Sequence, residues 1–341
     1  MLAKVPLGKT GISVSLIGFG GIPIMRVSTS QAVDVVRAAL RAGINLIDTA
    51  RGYGDSERKI GRALKMHPGR VFLASKSPKR DREGMLDDFN LSARNLAVDT
   101  IDLYQAHCVN TAEDLERLLG SGGGYEALLK LRSEGRLRFI GITSHNIGLL
   151  KEAILTGKFD TIQVLFSLLE SEAAREVIPM AREAGHGILA MKPFGGGCIQ
   201  EYDIALRFVL SQPGVIAIPG MAAVEEVASN VAVATERSPL LDEELKRVEH
   251  VRKELGPRYC RRCDYCQPCP NEIPISFALH IPSVRRRMGD AMMKTGPYRG
   301  LLGKLKTCEE CGLCEERCPF DLPVMDLIRE SREALAEVLE E

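Results

Sequence analysis

Two sets of residues in this chain have types and spacings that could do chemistry. The first is cysteine. Of the ten cysteines, only Cys108 and Cys198 precede residue 260. The other eight form two runs, Cys260-x2-Cys263-x2-Cys266-x2-Cys269-Pro270 and Cys308-x2-Cys311-x2-Cys314-x3-Cys318-Pro319. A lone CxxC could be a zinc half-site or a redox dithiol. Successive CxxC steps closing on Cys-Pro, twice over, bring thiolates in a tight loop to adjacent corners of one iron–sulfur cubane. Two zinc sites of four cysteines each are the alternative, but zinc sites pair CxxC units and have no use for a third. The second set is Asp48, Tyr53, Lys76 and His107. Singly, a strand-end aspartate caps, a lysine is solvated and a histidine is a satisfied rim residue. Together they put a carboxylate, a phenol, an ammonium and an imidazole at the same end of three neighbouring strands, converging on one mouth.

Those strands belong to a longer alternation. Short β-rich runs occur at Leu16–Phe19, Leu46–Thr49, Val71–Ala74, Ile101–Ala106, Phe139–Thr143, Thr161–Phe166, Ile188–Lys192 and Val215–Pro219. Most are continuous apolar runs of the kind buried on both faces of a parallel sheet. Helical patterns fall at 31–42, 56–66, 84–97, 113–134, 148–156, 173–184, 202–211 and 224–236. Eight βα units predict a (β/α)8 TIM barrel, whose active site lies where strands end and loops begin. A doubly wound sheet is the runner-up, but Gly18-Phe-Gly-Gly-Ile-Pro after the first strand is no GxGxxG phosphate turn. A further helix over 242–255 ends at Gly256-Pro257, a stop pair. The expected domains are therefore a barrel over 1–256 and a cysteine-rich domain over 257–341. The 38 residues between the cysteine groups have room for one or two helices, so the second domain is expected to be small and mostly α-helical.

Composition narrows the function classes. The 341 residues are 45% hydrophobic and 26% charged, with 45 basic and 45 acidic side chains. That balance gives the whole chain no bias toward nucleic acid or anionic lipid. No apolar run approaches the ~20 residues that cross a bilayer, and Met1-Leu-Ala-Lys-Val-Pro has no secretory stretch. A soluble, cytoplasmic protein is expected, with no nucleic-acid or membrane partner. The neutrality hides a basic segment, 257–307 with a balance of +7, next to an acidic one, 308–341 with −8. Either the two faces satisfy each other, or Arg285-Arg-Arg docks an acidic partner. Cys198, in Gly195-Gly-Gly-Cys past the seventh strand, is a candidate reactive thiol; Cys108 reads as packing.

Over residues ~1–236 the sequence resembles the aldo-keto reductase family. The resemblance rests on Leu7-Gly-Lys-Thr-Gly-Ile-Ser-Val-Ser, on Asp48-Thr-Ala…Tyr53-Gly-x-Ser-Glu57 and on Ile218-Pro-Gly. It implies a catalytic tetrad of Asp48, Tyr53, Lys76 and His107, and a nicotinamide that delivers hydride to a carbonyl carbon. Tyr53 would protonate the carbonyl oxygen. A tyrosine with its ordinary pKa of about 10 donates poorly at neutral pH, and a nearby cation lowers that barrier. Lys76 would be that cation, held by Asp48, and His107 would orient the carbonyl. By the same resemblance Thr143 and Ser144 would bind the nicotinamide amide, as would Gln163. Lys192 could reach a phosphate, or is a solvated strand-end lysine. At the adenosine end the matching positions read Gly220, Glu226 and Asn230. Glu226 would repel a 2′-phosphate and accept from a ribose hydroxyl, as acids do in NAD sites. NAD(H) is favoured and NADP(H) stays open.

The cysteine runs resemble the bacterial two-cluster ferredoxin motif, and the C-terminal part resembles the branch of aldo-keto reductases with a ferredoxin-like extension. This implies two [4Fe–4S] clusters. Cys260, Cys263, Cys266 and Cys318 would hold one, and Cys308, Cys311, Cys314 and Cys269 the other. The function expected is NAD(P)H-dependent interconversion of a small carbonyl compound and an alcohol. Hydride moves two electrons and each cluster one, and the sequence contains no flavin motif to couple them. The clusters therefore brace or sense in an ordinary reductase, or exchange electrons with a redox partner protein through an unrecognised relay. A non-catalytic nicotinamide-binding barrel attached to an electron carrier is the remaining reading, and the intact tetrad argues against it.

Overall fold

The computed structural model describes residues 2–65, 67, 69–262 and 265–340, with the side chain of Arg287 left out. Cys263 lies outside the described residues. The chain divides into two compact units, residues 1–194 with 201–240, and residues 195–200 with 241–341. The helix Asp242–Leu255 runs directly into the turn Gly256–Arg258 and groups with the second unit rather than with the barrel.

In the first unit eight strands pair in parallel and in chain order: β1 (Phe19–Gly20), β2 (Leu46–Asp48), β3 (Phe72–Ser77), β4 (Ile101–Ala106), β5 (Leu137–Ser144), β6 (Thr161–Leu165), β7 (Gly187–Met191) and β8 (Val215–Ile218). The sheet closes into a barrel. Gly18 N–H donates to Ala217 O at 2.8 Å, Gly20 N–H donates to Pro219 O at 2.9 Å, and Gly20 faces Gly220 across the seam. A Cβ on Gly20 would stand 2.8 Å from Pro219 O, so the seam needs glycine there. The TIM barrel read from the apolar runs is therefore the fold. Boundaries moved: the ladder of β3 extends to Ser77 and so carries Lys76 inside the strand, and β5 is longer at both ends than expected. The single helix expected over 113–134 is two, Ala112–Leu119 and Gly124–Ser133. The break is Gly120-Ser-Gly-Gly, where Gly122 takes φ +72° and a Cβ on Gly123 would meet Leu118 O at 2.4 Å.

One element had no expectation behind it. Residues Lys4–Pro6 and Ser13–Ser15 form an antiparallel hairpin. Its buried Leu7, Ile12 and Val14 pack with Leu46, Ala74, Leu103, Leu189, Ile216 and Ile218 inside the barrel. The hairpin plugs the end of the barrel opposite the strand termini, which leaves the carboxyl end as the open one. At the turn, Gly8 adopts φ +54° and lies so close to the start of β7 that a Cβ would meet Gly187 N at 2.3 Å.

The second unit is helical, with Ile275–Ala278, Ile281–Met288, Asp290–Met293, Gly296–Leu305, Leu313–Glu316 and Val324–Leu339. Its core joins Ile273, Ile281, Leu305 and Leu335 to Cys260, with Cys266, Cys269, Cys308, Cys314 and Cys318 packed against it. The basic and acidic segments meet within this unit. Across them Arg285 donates to Ala334 O at 3.2 Å and to Glu337, and Lys306 donates to Glu340; within them Arg285 donates to Asp290 at 2.8 Å and Arg329 makes a fork to Glu310 at 2.8 Å on both arms. Arg285 thus staples two helices instead of presenting a docking face, because its acidic complement lies a short way along the same chain. Cys198 also groups with this unit, its Sγ 3.1 Å from Ser283 Oγ. Among the described residues no helix is long and apolar enough to cross a membrane.

The plug gives a direct test. Ile12→Ala, at a 5% exposed position in the barrel interior, should destabilise the barrel by about 2–5 kcal/mol through the cavity it leaves. Urea unfolding followed by a barrel-specific probe measures this, and an unshifted midpoint means the hairpin closes nothing.

Candidate active site

The loop after β2 carries Tyr53, and its backbone is tied to β3: Thr49 N–H donates to Ala74 O at 2.8 Å and Arg51 N–H to Lys76 O at 2.9 Å. Outward-facing side chains hold it from behind. Ser56 Oγ donates to Gly21 O at 2.8 Å and lies 2.9 Å from Thr49 Oγ1. Glu57, fully buried, accepts from Ser75 Oγ at 2.7 Å, from Asn95 Nδ2 at 3.0 Å and from Arg51. The strand period of two explains the division of labour on β3. Ser75 and Ser77 face outward toward Glu57 and Asp88, so Lys76 between them faces into the barrel.

There Lys76, 1% exposed, donates to Asp48 Oδ1 at 2.6 Å and to Thr49 O at 2.7 Å. Asp48 Oδ1 also lies 3.4 Å from Gln163 Nε2, and Oδ2 accepts from Gln105 Nε2 at 3.2 Å. The ammonium sits 4.9 Å from the centroid of the Tyr53 ring. The Tyr53 and His107 rings meet edge to face at 5.7 Å and 82°. The four residues singled out from the sequence therefore converge, from β2, the loop after it, β3 and the end of β4.

His107 is anchored by its backbone, with N–H to Ser77 O at 2.9 Å and its carbonyl accepting from Arg80 at 3.0 Å. Burial, and then the charges of Lys76, Arg80 and Lys192, push the imidazole down to about 3. It is neutral at physiological pH, with one ring nitrogen carrying a proton and one bare. Next to it, Cys108 takes φ +53° and its carbonyl accepts from Arg80 at 2.9 Å. Burial pushes the Cys108 thiol up, which fits packing rather than nucleophilic use.

The residues assigned to the nicotinamide are less uniform. Thr143 Oγ1 accepts from Cys108 N–H at 2.8 Å, and its hydroxyl also hydrogen-bonds the Cys108 thiol. Ser144 Oγ is engaged in both senses, with Asn110 Oδ1 at 3.0 Å and Asn146 N–H at 2.9 Å. Gln163 is buried, and its Oε1 has no partner among the described residues. A buried acceptor of this kind fits an amide donor such as a nicotinamide carboxamide. Lys192 takes φ +57°, and its ammonium is 3.3 Å from His145 Nε2 at the rim rather than out in solvent. Glu226 Oε2 accepts from Ala222 N–H at 2.6 Å and Ala223 N–H at 3.2 Å, so that oxygen caps its own helix, Val224–Glu236. Asn230 is buried on the same helix, and Gly220 lies where a Cβ would meet the Pro23 ring at 2.7 Å.

Sequence reasoning missed Gln105 and Arg80. Gln105 had a signal: it shares a strand face with His107 two residues on. Arg80 had none, because its partners His107, Cys108 and Asp114 come together only through the loops.

In the second unit five of the cysteines, Cys266, Cys269, Cys308, Cys311 and Cys314, line one pocket with Ile273, Ile275 and Leu313 among others. Among the described residues no three ligating groups stand at metal-binding separations. The fit to an iron–sulfur cluster rests on the thiol donor set gathered around one apolar-walled space.

A closed parallel barrel with acid, phenol, ammonium and imidazole at its carboxyl rim is the architecture of the aldo-keto reductases. Residues 16–203 match the model of the aldo/keto reductase family, and residues 259–323 match that of a 4Fe-4S dicluster domain. The chain belongs to the aldo/keto reductase family and carries a C-terminal 4Fe-4S dicluster domain. It is 28% identical to an NADH-specific methylglyoxal reductase of Escherichia coli over 58% of this chain and 69% of that one. It is 27% identical to an L-galactose dehydrogenase of Arabidopsis thaliana over 72% of this chain and 92% of that one. A solved aldo-keto reductase of Klebsiella pneumoniae in complex with NADPH superposes with a TM-score of 0.63 at 25% identity, covering 74% of this chain and 95% of the other. The protein is an NAD(P)-dependent oxidoreductase.

The depressed imidazole sets a pH expectation. Unfolded, His107 binds its proton near ~6.5; folded, only near about 3. Its contribution to stability is therefore fully present above the unfolded value and is lost as pH falls through this window. In turnover, kcat/KM for carbonyl reduction should show no imidazole ionisation between about pH 5 and 7. A limb near the ordinary histidine value that disappears in His107→Gln contradicts a neutral His107.

Proposed function

We propose that the barrel interconverts an aldehyde or ketone and the corresponding alcohol with NAD(P)H, and that the second unit holds two [4Fe–4S] clusters. The observation that carries the first part is the Lys76 ammonium, fixed between the Asp48 carboxylate and the Tyr53 ring, with neutral His107 against that ring. When bound, the nicotinamide supplies the hydride. Gln163 Oε1 and the Thr143 hydroxyl would hold its carboxamide side. Tyr53 gives its proton to the carbonyl oxygen as negative charge develops there. Lys76 favours the tyrosinate that remains, which makes the phenol a better donor at neutral pH. Asp48 keeps that ammonium in place and does not itself face the substrate. The protonated nitrogen of His107 can hydrogen-bond the carbonyl, fixing it beside the phenol. In the direction of oxidation Tyr53, as tyrosinate, accepts the alcohol proton. At the position that the family resemblance matches to the adenosine end, the carboxylate of Glu226 would repel a 2′-phosphate, so we favour NAD(H).

For the clusters, Cys308, Cys311, Cys314 and Cys269 would hold one; all four line one pocket, which Cys266 lines as well. Cys260, Cys263, Cys266 and Cys318 would hold the other. Each cluster supplies one-electron chemistry. Cys260 is itself core, and five more of these cysteines pack against that core. We therefore favour bracing or sensing over electron exchange with a partner, since ligating core thiols couples cluster assembly to folding.

Two outcomes are expected. Tyr53→Phe should lower carbonyl turnover by about 10²–10⁴-fold while the nicotinamide dissociation constant hardly moves; retention of wild-type kcat overturns the proton-donor assignment. Anaerobic removal of iron with a chelator should melt the helical signal of the second unit and leave the barrel transition in place. A second unit that keeps its helicity without iron speaks against bracing, and bleaching of the clusters by NAD(P)H alone speaks for electron transfer.

A further inference from the structure

The buried ion pair leaves oxygens stranded behind it. Among the described residues Gln105 Oε1 and Thr161 Oγ1, like Gln163 Oε1, have no hydrogen-bond partner, and Gln105 and Thr161 are both 0% exposed. Asp48 is the cause. A carboxylate only accepts, so Gln105 must turn Nε2 toward it, and Oε1 is then forced to face the other way. Flipping the amide would set oxygen against oxygen. Buried polar groups left unmade are costly, and in native interiors they are met by protein or by ordered water.

The strand register brings the two stranded oxygens together. Lys76 pairs with Gln105, Gln105 with Gly141 and Gly141 with Thr161 across β3 to β6. A Cβ on Gly141 would stand 2.5 Å from Thr161 Oγ1 and 3.1 Å from Gln105 Oε1. Both oxygens therefore flank Gly141 and lie within 5.6 Å of each other, a span that one water can bridge. The chemistry matches a single water: the threonine hydroxyl can donate to it, and it can donate to the amide oxygen.

We propose that Gln105 is a positioning residue of the proton-transfer site, held from behind by one internal water bridging its Oε1 to Thr161 Oγ1 beside Gly141. Gln105 then fixes Asp48 Oδ2, which leaves Oδ1 to Lys76. Its donated bond also offsets part of the carboxylate charge. Without that donor Asp48 opposes more of the Lys76 field, and the Tyr53 phenol ionises at higher pH. The inference rests on Tyr53 as the proton donor.

The test needs no substrate. On the full-length, cluster-loaded protein, the ionisation of Tyr53 is isolated as the tyrosinate ultraviolet difference between each background and the same background carrying Tyr53→Phe. Gln105→Leu should raise the Tyr53 midpoint by about one pH unit, a tenfold loss of tyrosinate at fixed pH. Thr161→Val, which touches only the water's far partner, should raise it by a smaller amount. An unmoved midpoint in folded Gln105→Leu overturns the positioning role. Should that variant not fold, an unmoved midpoint in Thr161→Val does the same. A crystal structure of the wild type with no ordered water between the two oxygens overturns the bridge. If Tyr53→Phe keeps wild-type carbonyl turnover, the function proposed above fails; if it is inactive and Gln105→Leu has a normal midpoint, this inference alone fails.

Discussion

An ammonium and a carboxylate 2.6 Å apart, both almost completely out of water, set the terms for the rest of the barrel. Taking two charges out of solvent is expensive, and their attraction offsets the cost only when geometry is close and the remaining valences are satisfied. The barrel supplies those valences one by one. Thr49 O takes a second proton of Lys76, and two glutamines turn their amides to Asp48. The lumen is consequently divided along its axis. Its lower part is apolar and plugged by the hairpin, and its upper part is polar.

The same charge shapes its neighbours. Burial lowers the His107 pKa most, and the charges of Lys76, Arg80 and Lys192 add to its effect. An imidazolium there would be a second cation against the one that serves Tyr53. Keeping the ring neutral leaves a directional donor without cancelling the asymmetry that makes the phenol acidic. Arg80 contributes twice, by its charge and by holding the carbonyls of His107 and Cys108 through a left-handed turn. The outward network of Arg51, Glu57, Ser75 and Asn95 does comparable work for the Tyr53 loop, from the opposite side of β3.

The second unit works by a different logic. Its core is small; Cys260 belongs to it and five more cysteines pack against it. Ion pairs such as Arg285 with Asp290 and Glu337 tie its helices together at the surface, where each is worth little by itself. The cohesion missing from so short a core is what ligated clusters would add. The basic and acidic runs that look like opposing interaction faces in one dimension are joined by Arg258–Glu330, Arg285–Glu337 and Lys306–Glu340.

Much of this was legible from residue order. Continuous apolar runs separated by helical periods admit few folds, and a parallel barrel needs every strand buried on both faces. The tetrad could be placed because each member sits at a strand end or in the loop after it, where chain position alone dictates the rim. The spacing of the cysteines was equally local. What the sequence could not show depends on neighbours distant along the chain. That Glu226 Oε2 caps its own helix, and that Asn110 and Asn146 engage the Ser144 hydroxyl, could not be read from spacing. The hairpin plug, the Arg80 clamp and the Gln105 contact with Asp48 exist only once eight strands have closed with one register. A one-residue slip would turn Gln105 out and Tyr104 in. Period and spacing settled which groups reach the mouth. Only closure of the barrel decided which of them share a proton, a charge or a bond, because those pairings join residues from about 30 to 115 positions apart.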